Sequence, residues 1–89
     1  MVLMVGYDLN KPGQEYGDLI EALKGYGTWW HNLDSTWLIE TEDSPCDARG
    51  HLQQYIDSGD ELLVIQVVKN WSAIGFEQSA YDWLKARDW

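Results

Sequence analysis

The chain opens on five consecutive apolar residues, Met1 to Val5, with no polar residue between them. A strand with one face in water alternates apolar and polar residues, because successive side chains point to opposite sides. An unbroken run rich in Val and Leu instead fits a strand buried on both faces, and the sheet that holds it must be covered on both sides. The run continues through Gly6 and Tyr7 to one carboxylate, Asp8, and then into a loop in which Asn10, Pro12 and Gly13 are turn formers. Asp8 therefore stands where the strand leaves the core. It is rigidly placed there and within reach of solvent, a ligand or a metal.

Covering a sheet on both sides is demanding for 89 residues. A chain of this length forms one domain and buries only about 60–65% of the surface its unfolded state exposes. Six Trp, five Tyr and one Phe offset the small core, since each buried aromatic removes roughly 150–250 Å² from water. Dimerisation would add further burial.

Fifteen acids against six Lys and Arg give a formal net charge of −9. The cations Lys11, Lys24, Arg49, Lys69, Lys85 and Arg87 are scattered singly. That distribution disfavours sequence-independent binding of a long nucleic acid, which draws its affinity from clustered phosphate neutralisation. The acidity either keeps an aromatic-rich chain in solution, meets a basic partner protein, or imitates nucleic acid. Cys46 is alone, so neither an intrachain disulfide nor a cysteine-built zinc site is possible. No stretch approaches the roughly 20 apolar residues of a membrane span, and the N-terminus lacks the pattern of a signal peptide. The expectation is a cytoplasmic protein with no membrane partner.

Tyr16, Leu19, Ile20 and Leu23 recur at i, i+3, i+4 and i+7, which predicts a helix stopped by Gly25 or Gly27. Thr28 to His31 and Thr36 to Thr41 read as the strands of a hairpin, with Asn32 to Ser35 as the turn. Ser44, Pro45 and Asp47 are a helix start: a hydroxyl cap, proline in the first helical position, and an acid near the positive end of the dipole. Ala48, Leu52, Tyr55 and Ile56 continue that helix's apolar face, Gly59 is available to end it, and Leu62 to Val68 reads as a fourth strand. The predicted order is β-α-β-β-α-β, an α+β ferredoxin-like sandwich with an antiparallel sheet, two helices on one face, and the first and third strands central. Residues 70–89 form a tail in which Phe76, Ala80, Trp83 and Leu84 are spaced for a short helix. The tail covers the second sheet face in its own subunit or crosses to another.

Asp8 is the leading candidate for metal binding or catalysis, against the plainer role of a turn cap accepting the amides of Asn10 and Lys11. His31, near the end of the second strand, is a candidate general acid or base if it faces a cleft, and otherwise a histidine satisfied by Asp34 or Thr36. His51 is expected to face solvent. Trp29 and Trp30 are adjacent on a strand and cannot both enter one core face. One of them faces the other surface, against the tail, a partner subunit or a ligand. Trp29, Trp30 and Trp37, with Tyr7 and Lys11, are thus the candidate ligand-binding residues, the tryptophans as stacking platforms or as packing. Lys11 either contacts a phosphate or pairs with Asp8. Trp89 is an anchor for the tail or a dimer.

Three segments carry a family likeness: VGYDLNKPGQ (Val5–Gln14), WWHNLDSTWLI (Trp29–Ile39) and DSGDELLVI (Asp57–Ile65), joined by DWL at Asp82–Leu84. They resemble the short bacterial and phage proteins of the SinR family. More distantly, an apolar strand ending in Tyr7-Asp8 resembles the smaller CRISPR spacer-acquisition protein and the virulence-associated toxin ribonucleases. That resemblance implies a ferredoxin-like homodimer with the two copies of Asp8 near each other. In active members it also implies Mg²⁺-dependent phosphodiester cleavage, with carboxylates holding the ion and the ion activating a water. The acidic balance departs from that pattern. Three readings follow. The first is a non-catalytic binding or regulatory homodimer, in a phage and host-defence setting, engaging a protein partner or a nucleotide-like ligand. The others are a Mg²⁺-dependent endoribonuclease or phosphodiesterase using Asp8 from both subunits, and a nucleic-acid mimic.

Overall fold

The computed structural model describes residues 1–10 and 16–89. In chain order the elements are β1 (Val2–Asp8), α1 (Gly17–Lys24), β2 (Trp29–Leu33), β3 (Thr36–Glu40), α2 (Pro45–Leu52) with a 3₁₀ turn (Gln53–Tyr55), β4 (Glu61–Val67) and α3 (Gln78–Lys85). The four strands form one antiparallel sheet in the order β2-β3-β1-β4. β1 and β3 are central, and Val2, Leu3 and Val5 are fully buried. Leu3 and Val5 lie on one side of β1 and Val2 on the other, where Met4 is only half-buried.

Strand alternation sends Leu3, Val5, Trp37 and Ile39 to one face, where they meet Leu19 and Leu23 of α1 and Ala48 and Leu52 of α2. α2 begins as its sequence demands. Pro45 occupies the first turn, and the Ser44 Oγ accepts the Asp47 amide at 3.1 Å. Trp30 points to the opposite face, onto Ala80 and Leu84 of α3, with Leu38, Trp71, Phe76, Trp83 and Trp89 packed around them. The tail thus folds back on its own sheet. Arg87 fastens it: its guanidinium reaches Glu40 at 2.6 Å, lies 4.4 Å over the Trp83 ring, and donates from Nε to the Trp83 carbonyl.

Two details differ from the sequence expectation. The hairpin turn narrows to Asp34-Ser35, and β2 runs on to Leu33 with one extra residue accommodated between Trp30 and Leu33, a bulge no propensity signals. Gly59, at φ 97°, does not end α2, which unwinds through its 3₁₀ turn into extended Ile56. It forms the turn into β4, where a positive φ suits glycine alone. No helix among the described residues is long and apolar enough to cross a membrane.

Candidate functional site

At one end of the sheet Asp8 and Glu61 are direct cross-strand partners of β1 and β4. By alternation both point to the face opposite α1 and α2. With Gly6 and Leu63 they line a shallow depression of about 290 Å³. Gly6 keeps it open, since nothing lies within 4 Å of where its Cβ would stand. Among the described residues the Asp8 carboxylate accepts no hydrogen bond. The Asn10 amide goes instead to Asp60 Oδ1 at 2.8 Å, and the Asn10 side chain reaches Glu61 at 3.4 Å. Asp60 organises this loop end, because it also accepts the Tyr16 hydroxyl at 2.8 Å and the Asp57 amide at 2.8 Å. Lys11, with its proposed pairing to Asp8, lies outside the described residues, as does the rest of the loop from 12 to 15. Among the described residues no three His, Cys, Asp or Glu side chains gather into a metal-holding group.

The hairpin gathers four of the other candidates on the helix side of the sheet. Trp37 is fully buried, and its indole N–H donates to the Tyr7 hydroxyl at 3.0 Å. Trp29 packs beside it with ring centroids 5.2 Å apart, and His31 stacks on it at 3.9 Å and 13°. Lys24 of α1 sits 5.7 Å above Trp29, which is 36% exposed. The His31 Nε2 lies 3.2 Å from the Asp34 carbonyl and donates to it in the tautomer protonated there. Trp30 is separated from this group by the sheet. Its indole donates to the Ala80 carbonyl at 3.2 Å, which ties β2 to α3. Asp8 and His31 therefore do not converge: by alternation they project from opposite faces.

Beyond α3 the second face carries exposed apolar side chains among the described residues. Leu63 and Ile65 of β4 are 58% and 45% exposed, on the side shared with Gly6 and Met4. This strip continues the depression at Asp8 and Glu61 along the uncovered half of the sheet.

A second concavity was not foreseen from the sequence. Between α1 and α2 a cleft of about 680 Å³ is lined by Asp18 and Glu21 of α1, Tyr26 and Asp43 of the loops, His51 of α2 and Tyr55 after it. The His51 ring meets Tyr26 edge-on at 6.0 Å and Tyr55 at 5.7 Å. The Tyr26 hydroxyl is buried without a hydrogen-bond partner. Its pKa is raised above 10.0 by burial first and by the charge of Asp43 second. Asp18 and Glu21 at i, i+3 on α1, and His51 on α2 with Tyr55 four residues on in the 3₁₀ turn, were the available signals. Their convergence depends on the packing of the two helices.

The chain matches no protein-family model, and no solved structure matches it.

Proposed function

We propose that this chain is a small acidic binding protein, a ferredoxin-like homodimer joined through the open half of its sheet, which engages a protein partner or a nucleotide-like ligand. The observation that carries the reading is the exposure of Leu63 and Ile65, side by side on a strand of the sheet that the chain's own tail leaves uncovered. Apolar surface of this kind on a sheet face is removed from water most economically by another sheet face. The ferredoxin-like assignment is supported by the order β-α-β-β-α-β with α1 and α2 packed on one side. The resemblance of the strand ending in Tyr7-Asp8 to the smaller CRISPR spacer-acquisition protein favours the dimer. For a nucleotide-like ligand the support is the half-exposed Trp29 beside Lys24 and His31, an aromatic surface with one cation.

Sedimentation equilibrium tests the dimer. Wild-type protein is expected to sediment as a dimer, and the double variant Leu63→Lys/Ile65→Lys as a folded monomer. A wild type that stays monomeric at high micromolar concentration, or a double variant that still dimerises, would overturn the assignment.

A Mg²⁺-dependent phosphodiesterase is the second reading, favoured by the adjacency of Asp8 and Glu61, which in a two-fold dimer could bring four carboxylates to one place. Unpaired, such a group repels itself, and a divalent cation relieves that. Cleavage of RNA or cyclic nucleotides that requires Mg²⁺ and is lost in Asp8→Asn would establish this reading over the first.

A further inference from the structure

We propose that the cleft between α1 and α2 is a site for an alkylammonium ligand, a linear aliphatic di- or triamine whose charged ends meet Asp18, Glu21 and Asp43 and whose methylenes lie along Tyr26, His51 and Tyr55. The cleft is on the helix side of the sheet and is independent of the open half-sheet. Its volume, about 680 Å³, falls within the range of small-molecule sites.

The lining selects the chemistry. Three carboxylates come from two separate stretches of chain, and among the described residues no Lys or Arg lines the cleft to neutralise them. That lining disfavours anions. An inorganic divalent ion would use the carboxylates but gain nothing from the rings, whereas an ammonium gains from both, because aromatic faces attract cations and apolar methylenes. The three rings run in contact, His51 edge-on to both Tyr26 and Tyr55, and make a continuous aromatic wall. An independent sign of a missing partner is the Tyr26 hydroxyl, buried and unpaired at this cleft. Buried polar side-chain atoms nearly always have a partner, and an ammonium N–H would supply one after a small change in χ1 that swings the Tyr26 hydroxyl toward the cleft.

A ¹H–¹⁵N NMR titration of the full chain at about 0.1 M salt, where diffuse charge effects are screened, tests this. Spermidine, a lysine-containing peptide blocked at both ends, and Mg²⁺ are the three probes. Spermidine or the peptide is expected to saturate at one equivalent, with shifts confined to residues lining the cleft. Tighter binding of spermidine assigns the site to a free polyamine, and tighter binding of the peptide to a protein side chain. Glu21→Gln and Asp43→Asn should each weaken binding about fivefold or more, and Tyr26→Phe about threefold without lowering the thermal midpoint. Glu77→Gln, at the start of α3, should leave affinity unchanged. Shifts spread over the whole acidic surface, the same shifts with Mg²⁺, equal weakening by Glu77→Gln, or no saturation by either amine would overturn the proposal. None of these outcomes bears on whether the open half-sheet dimerises.

Discussion

On one face of the sheet Leu3, Val5, Trp37 and Ile39 are sealed under two helices; on the other, a single helix covers Trp30 and Leu38 and stops, leaving Leu63 and Ile65 in water. Geometry explains the difference. A helix with its side chains is about 10–12 Å across, while strands are spaced about 4.8 Å apart, so each helix tiles roughly two strands. Two helices therefore close the first face of a four-stranded sheet, and one helix closes half of the second. In so short a chain the surplus apolar surface falls on β4 and the neighbouring half of β1. The same half carries the notch at Gly6 and the Asp8–Glu61 pair. The finished face buries the core, and the unfinished one leaves apolar side chains exposed, which is the surface the proposed dimer would use.

If that contrast is right, stability should be concentrated on the helix side. Trp37→Ala removes a fully buried indole and strands the Tyr7 hydroxyl, and urea denaturation should show a loss of about 3–5 kcal/mol. Leu84→Ala, on the buried side of the tail helix, has less surrounding structure to disturb and should cost about 2 kcal/mol by the same measurement. Ser44→Ala deletes the α2 cap, and about 1 kcal/mol should be lost, most of it recovered in Ser44→Asp. Leu63→Ala should change the stability of the isolated monomer by no more than about 0.5 kcal/mol, since the side chain is mostly in solvent. A large loss there would mean that the open half is core after all.

The smallest effect expected is from Tyr26→Phe. With the folded pKa of Tyr26 raised above 10.0, the unfolded chain ionises first as pH rises, so this group's contribution is present below pH 10 and lost on passing up through the folded value. Tyr26→Phe should match or slightly exceed wild-type stability at neutral pH and lose less of it in strongly alkaline solution, as followed by circular dichroism.

Much of this architecture was legible in the residues. Local signals with a stereochemical cause were reliable: the Ser44-Pro45 start of α2, the i, i+3, i+4, i+7 face of α1, and the unalternating Met1–Val5 run that demanded a central strand. The adjacent Trp29 and Trp30 also had to part, and they did, one to the helices and one to the tail. What the sequence could not disclose rests on contacts between distant segments. Asp60 takes the Asn10 amide that Asp8 was expected to cap, because the turn into β4 brings it across. His31 stacks on the Trp37 ring, the place that the Trp29–Ile39 and Trp30–Leu38 register gives it across the hairpin. The cleft between α1 and α2 draws its walls from residues 18 to 55, none of which forms a motif on its own.

The most direct test of the unfinished face is methyl NMR of Leu63 and Ile65 with a soluble paramagnetic probe, read over a dilution series. The account predicts that both methyl groups are strongly relaxed by the probe at low protein concentration and become shielded as the dimer forms, while exposed residues of α1 and α2 stay accessible throughout. Leu63 and Ile65 methyl groups that remain accessible at every concentration, or shielding that appears on the helix side instead, would contradict it.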